Sequence, residues 1–134
     1  MAAGTAEWIV GRMRAADVTG VSQRYAPNVL LDVQTPSGRV QLQGRSSAAV
    51  LLAELVDALT NMRVSWVRPT VTAEVVVVEY ELRWDAPGGE CVSRAVSVYR
   101  LAGDAIVEHV DYSCGAWTSE DIQRIMSEAP IVRW

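Results

Sequence analysis

Three tyrosines and a glutamate are the side chains best suited to proton chemistry, provided that the strands carrying them lie side by side. Tyr80, Tyr99 and Tyr112 can each hydrogen-bond a carbonyl or an enolate. Glu108 is an acid among apolar neighbours, a setting that raises a carboxyl pKa and suits it to moving protons near neutrality. A second constellation, Glu81, Arg94 and Asp111, alternates carboxylate, arginine and carboxylate. His109 is the only histidine, and Cys91 and Cys114 are the only cysteines. A four-ligand zinc site built from His and Cys is therefore out of reach of one chain, and a serine triad would have to recruit His109. There is no lysine, which excludes Schiff-base chemistry and a P-loop lysine.

The stretch from Val71 to Trp117 must position these groups. VTAEVVVVEYELRW, CVSRAVSVYRL and AIVEHVDYSC are rich in β-branched and aromatic residues, and the links DAPGGE and AGD are short enough for hairpins. A first turn between Pro87 and Gly88 sets Trp84 opposite Cys91, Leu82 opposite Ser93, Tyr80 opposite Ala95, Val78 opposite Ser97 and Val76 opposite Tyr99. A second turn near Gly103 carries that face on, with Tyr99 by Ile106, Ser97 by Glu108, Ala95 by Val110, Ser93 by Tyr112 and Cys91 by Cys114. Side chains alternate across a strand, so Glu108 becomes the one acid on an apolar, pocket-lining face. Glu81, Arg94 and Asp111 form a row on the other face, with His109 in the next row. That row reads as a solvated or dimer-forming charge ladder, and becomes the site only if the concave side is the reverse one. Cys91 and Cys114, although neighbours in this register, are expected to stay reduced in the cytoplasm.

The rest of the chain supplies helices and a hairpin. Thr5 is a candidate N-cap for a helix from residue 5 to about 15, with Trp8, Ile9, Arg12 and Met13 at helical spacing. AADVTGVSQRYA fits a short second helix ended by Pro27. VLLDVQT and VQLQG pair across PSGR, with Val33 by Leu42 and Thr35 by Val40 facing the core and Asp32 facing solvent. Ser46 or Ser47 caps a third helix whose stripe is Leu51, Leu52, Leu55, Val56 and Leu59, with Glu54 and Asp57 solvated opposite it. MRVSWVR is a strand with Val64 and Trp66 on one face, and Pro69 suits it to a sheet edge. TSEDIQRIM has the cap and early acids of a terminal helix, followed by a tail in which Trp134 is a candidate anchor. At 134 residues this is one domain. The net charge of -4 argues against a nucleic-acid partner. The start MAAGTAEW is not a secretory signal, and no run approaches a membrane span. The element order is α+β, compatible with a curved sheet wrapped around helices and enclosing a pocket.

RYAPNVLLDV at 24 to 33, QGRSSAAV at 43 to 50 and GDAIVEHVDYSC at 103 to 114 resemble the nuclear transport factor 2-like superfamily, and within it the SnoaL-like polyketide cyclases and the relatives of ketosteroid isomerase and limonene epoxide hydrolase. The resemblance implies a cone-shaped, strongly curved antiparallel sheet around about three helices with a central pocket. It also implies acid/base chemistry on a small hydrophobic molecule by cyclisation, isomerisation or epoxide opening, with no metal and no organic cofactor expected. A non-catalytic ligand-binding or protein-interaction module of the same fold is the alternative. Val33 holds the place of the isomerase general base, with Asp32 beside it on the opposite face. Cys114 holds the place of the hydrolase's last aspartate. That leaves Glu108, Tyr80 and Tyr112 as the catalytic candidates, Glu81, Arg94 and Asp111 in reserve as a water-activating row, and Trp8, Trp66, Trp84, Tyr99 and Cys114 as candidate ligand-binding residues. A homodimer through the outer sheet face is expected.

Overall fold

A computed structural model describes residues 2–129, with side chains from residue 4 onward; Trp134 lies outside the described residues. The chain begins with helix α1, Ala2–Arg14. Ala6, Ile9, Val10 and Met13 recur at helical spacing and are buried. Burying a side chain as large as Ile9 or Met13 contributes about 1.5–3 kcal/mol, which ties this helix to the sheet. Thr5 is not a cap. It lies inside the helix, fully buried, where its hydroxyl accepts from Arg24 Nη1 at 3.0 Å and meets Asp104 at 3.4 Å. The second helix is a single 3-10 stretch, Val18–Arg24, and Tyr25 already begins strand β1, Tyr25–Thr35. Strand β2, Gly38–Gln43, folds back through a two-residue turn at Pro36 and Ser37. Val33 consequently faces Val40 and Leu31 faces Leu42, a slip of two from the expected register that keeps each residue on its expected side.

Helix α2, Arg45–Asp57, starts after Gly44 rather than at a serine cap. Gly44 has φ +107, a left-handed conformation that favours glycine. Ala48 and Leu52 are buried, Leu51 and Val56 pack partly against the core, and Leu55 lies at the edge of the stripe with 41% exposure. Then follow strands β3, Thr60–Val71, β4, Val75–Ala86, β5, Gly89–Ala102, and β6, Ala105–Ser113. The short β7, Trp117–Thr118, pairs with β5 and leads into helix α3, Ser119–Glu128. A capping box of Thr118 and Asp121 opens α3, as the sequence predicts.

These strands make one curved, open sheet in the order β2-β1-β6-β5-β4-β3, antiparallel except where β1 runs parallel to β6. The expected α+β architecture is present. Helices α1 and α2 and the 3-10 stretch cover the concave side, where Ile9, Met13, Val21, Leu31, Val76, Val78 and Tyr99 form the core. β3 is an edge strand, which accommodates Pro69. Among the described residues no helix is long and apolar enough to cross a membrane.

The β4–β5 register is the expected one at every position, from Val76 with Tyr99 to Trp84 with Cys91. The β5–β6 register is not. The tight turn at Gly103 and Asp104 pairs Leu101 with Ile106, after which Val107 is skipped and Arg100 pairs with Glu108. From that bulge onward Tyr99 faces His109, Ser97 faces Asp111 and Ala95 faces Ser113. The displacement totals an odd number of residues, so β6 presents the opposite face from the one expected.

Deleting Val107, the extra residue of the bulge, is therefore expected to leave Ile106 opposite Leu101 and Glu108 opposite Arg100 in an unbroken ladder, with His109 still inward and cooperative thermal unfolding, followed by near-UV circular dichroism, retained. Val107→Ala, which keeps the residue count, should cost about 1 kcal/mol or less.

Candidate functional site

The bulge brings a buried polar cluster together on the concave face. Asp111 Oδ1 accepts the Tyr80 hydroxyl at 2.9 Å and the Ser97 hydroxyl at 2.8 Å, and those two hydroxyl oxygens lie 3.1 Å apart. Three oxygens share two hydroxyl protons, with the carboxylate as common acceptor. Tyr80 and Ser97 are buried and Asp111 is half-buried. Among the described residues, Asp111 Oδ2 makes no protein hydrogen bond. Burial pushes the Tyr80 phenol well above its ordinary pKa, and the neighbouring Asp111 carboxylate pushes it the same way, so Tyr80 keeps its proton.

Below this triangle, His109 lies fully enclosed. Its ring is 4.3 Å from that of Tyr99, and its Nδ1 is 2.6 Å from the Tyr25 hydroxyl. Burial holds the imidazole pKa down to about 4, with Asp111 opposing only in part, so the ring is neutral at pH 7. Burial also raises the Tyr25 and Tyr99 phenols. The other ring nitrogen of His109, Nε2, has no hydrogen-bond partner among the described residues.

Above the triangle the cone opens into a cleft of about 350 Å3 lined by Thr35, Pro36, Leu59, Leu82, Trp84, Ser93, Ser113 and Gly115. Ser113, which lines this cleft, is one pleat above Asp111 on β6; Asp111 itself is not among the lining residues. The rim is tight. Gly115 has φ +86, and a Cβ there would stand 3.3 Å from Pro36 Cγ in the β1–β2 turn.

The expected site residues divide between the two faces. Tyr80, Tyr99 and Trp84 lie on the concave side, as their register predicts. Glu108 does not. It stands on the outer face opposite Arg100, 3.9 Å from its Nε. Tyr112, 46% exposed, is also on the outer face. Trp66 is carried outward because β3 skips Ser65, so that Val64 pairs with Leu82 but Trp66 with Glu81. Arg68 and Arg94 lie over the Trp66 ring, at 5.4 and 4.6 Å from its centroid. Cys114 is exposed beside them, and Cys91 pairs instead with Thr118 of β7; both thiols are free. Trp8 remains on α1 under Arg24, half-buried against the core.

The reserve row also breaks up. Glu81 and Arg94 pair on the outer face, but Asp111 is inside with the tyrosines. Glu81 is buried beneath Ser65, Arg83 and Arg94. Burial pulls its carboxyl pKa up, and these bonds and charges outweigh that and hold it below the usual range. Asp32, expected in solvent, is 5% exposed on the outer face. Arg39 grips it at 3.0 and 2.6 Å and Gln41 at 2.9 Å, and these bonds lower its pKa to about 2. Sequence reasoning missed Ser97 and the inward His109 and Asp111. The available cue was Arg100 with Glu108, but Arg94 with Asp111 offered equal charge complementarity in the other register. Among the described residues no cluster of His, Cys, Asp and Glu is arranged to hold a metal ion.

A family model described as SnoaL-like domain matches residues 6–109. The chain belongs to the SnoaL-like domain family. No curated protein matches it. Solved structures of similar fold include a nuclear transport factor 2-like protein of unknown function from Cytophaga hutchinsonii, with a TM-score of 0.68 and 13% identity, covering 84% of this chain and 99% of that one. A candidate polyketide cyclase from Xanthomonas campestris aligns with a TM-score of 0.64 and 16% identity over 83% of this chain and 88% of that one. A phenazine biosynthesis-related protein from Pseudomonas aeruginosa aligns with a TM-score of 0.66 and 11% identity over 97% and 84%. These likenesses establish the fold of this SnoaL-like chain. Asp111 lies just beyond the matched segment.

The neutral His109 makes stability depend on pH. Below its ordinary pKa of 6.5 the unfolded chain binds a proton that the folded chain refuses until about pH 4, so acid favours unfolding across that window. Urea denaturation is expected to show about 3 kcal/mol lost to this group between pH 6.5 and 4, read as the difference between wild type and His109→Gln.

Proposed function

We propose that this SnoaL-like chain is an acid/base enzyme that removes a proton from carbon next to a carbonyl in a small hydrophobic molecule held in the cleft. The observation that supports it best is the Asp111, Tyr80 and Ser97 triangle, one pleat below the cleft-lining Ser113. Two hydroxyls fix Asp111 Oδ1 and leave Oδ2 to act. In the proposed step the substrate C–H bond breaks, its proton passes to Asp111 Oδ2, and its electron pair moves onto the carbonyl oxygen as an enolate. Reprotonation at another carbon gives isomerisation, and attack of the enolate carbon on a second carbonyl gives cyclisation. Tyr80 stays protonated and positions the base. The names of structural neighbours such as the Xanthomonas candidate cyclase agree with this class of reaction but do not choose its substrate.

The test uses deuterium uptake alpha to the carbonyl of a panel of cyclic ketones, followed by mass spectrometry in heavy water. Wild type should accelerate exchange of at least one ketone, and Asp111→Asn should lower that rate by about 100-fold or more, the scale of general-base catalysis. Glu108→Gln, on the outer face, should stay within about twofold, since surface charge changes away from the reacting atoms have small effects. Equal exchange by wild type and Asp111→Asn would remove the proposed base.

The same proposal includes a homodimer through the outer face, supported by the exposed Tyr112 beside Val96 on a sheet surface. Native mass spectrometry should find the dimer in wild type and mainly monomer in Tyr112→Glu. A monomeric wild type sinks that part of the proposal.

A further inference from the structure

We propose that Ser93 and Ser113 are the recognition element of the cleft, presenting one hydroxyl proton to a single acceptor oxygen on an uncharged ligand with an apolar body. This rests on the reading of the cleft as the substrate site and adds the group that recognises the substrate and the charge class it admits.

The inference comes from following the hydroxyl protons along the cleft wall. Its hydroxyls belong to Thr35, Ser37, Ser93 and Ser113. Thr35 and Ser37, exposed at the lip, are engaged within the β1–β2 turn. Thr35 donates to the Gly38 carbonyl at 3.2 Å, which leaves Ser37 to donate to Thr35 at 3.1 Å. The serines on the sheet differ. Ser93 and Ser113 Oγ stand 3.4 Å apart, and Ser113 Oγ also accepts the Gly115 N–H at 3.2 Å. One of their two protons can lie between them, and the other has no acceptor among the described residues. Ser93 is 6% exposed and Ser113 half-buried, so water reaches this pair less readily than it reaches the turn.

The walls around the pair are apolar, with Leu82 and Trp84 on β4, Leu59 after α2 and Pro36 in the β1–β2 turn. Among the described residues that line the cleft, none is charged. An ion moved there from water gives up hydration without meeting an opposite charge, which disfavours ammonium and carboxylate groups alike. A carbonyl oxygen gives up less, and it supplies the acceptor that the leftover hydroxyl proton lacks. An apolar cavity with one convergent donor takes a neutral molecule and orients it by one oxygen.

Isothermal titration calorimetry with benzylacetone, phenylbutylamine and phenylbutyrate, three probes of like size, tests the charge preference on the intact protein. The ketone should bind about tenfold or more tighter than either ion. Infrared difference spectra with the ketone's carbonyl carbon labelled test the anchor. In wild type the C=O stretch of the bound ketone should lie below its value in hexane. It should return to that value in a double variant, Ser93→Ala with Ser113→Ala, whose ketone affinity falls about tenfold, the scale of one hydrogen bond. The wild-type spectrum depends on no variant. A hexane-like stretch there, with binding weakened by Trp84→Ala, would overturn the anchor and leave the cleft standing as a ligand site. A lowered stretch that survives in the double variant would overturn the assignment to these serines, and an ion bound as tightly as the ketone would overturn the charge preference. Ketone binding that neither Trp84→Ala nor the double variant weakens, or binding of none of the three probes, would overturn the reading of the cleft as well.

Discussion

A β-strand has two faces, and one unpaired residue exchanges them. The Val107 bulge makes that exchange in β6, and the make-up of the polar cluster on the concave face depends on it. Below the bulge Asp111 and His109 turn inward and Glu108 turns outward. Each then finds the partners its burial requires: hydroxyls for Asp111, a phenol for His109, and an arginine opposite Glu108. A carboxylate facing the interior without donors would cost several kcal/mol. The bulge is tolerable because Tyr80 and Ser97 are already aligned on β4 and β5 to receive Asp111.

The two faces divide the polar work. The outer face of β3, β4 and β5 is laced by ion pairs in which Arg63 and Arg83 converge on Glu90, Arg83 and Arg94 on Glu81, and Arg68 on Glu79. The planar guanidinium suits such bridging, since its several donors reach two carboxylates at once. The exposed pairs, such as Arg68 with Glu79, contribute little one at a time, about 1 kcal/mol at most, whereas Glu81 is buried beneath its two arginines. Their larger effect here is to fix the arginines away from the concave face. The interior is left to hydroxyls and one acid, embedded in tyrosine and aliphatic side chains.

Much of the fold was legible in the chain because its cues are local. The β4–β5 hairpin follows from Pro87 and Gly88 between two alternating strands, and α3 follows from Thr118 and Asp121. The edge position of β3 follows from Pro69. The bulges at Val107 and Ser65 left no such mark, since neither is a glycine or a proline, and their positions are set by how three strands fit together. The candidate site was therefore half legible. Tyr80, Tyr99 and Trp84 precede any odd shift and were placed correctly, whereas Glu108, Tyr112 and Trp66 follow one and were placed on the wrong side. Asp32 shows a different limit: its face was right, but the covering by Arg39 and Gln41 depends on long side chains whose reach alternation does not describe.

The close approach of Gly115 to Pro36 separates two properties of the domain. Asp111 and its hydroxyl partners are rooted in the middle of long strands, whereas the lip of the cleft is a two-residue turn close to a glycine after β6. Changes in the length of that turn, or a side chain in place of Gly115, would reshape the opening while leaving the Asp111, Tyr80 and Ser97 cluster untouched. Lineages sharing this scaffold could thus diversify what enters the cleft without rebuilding the polar cluster in the strands.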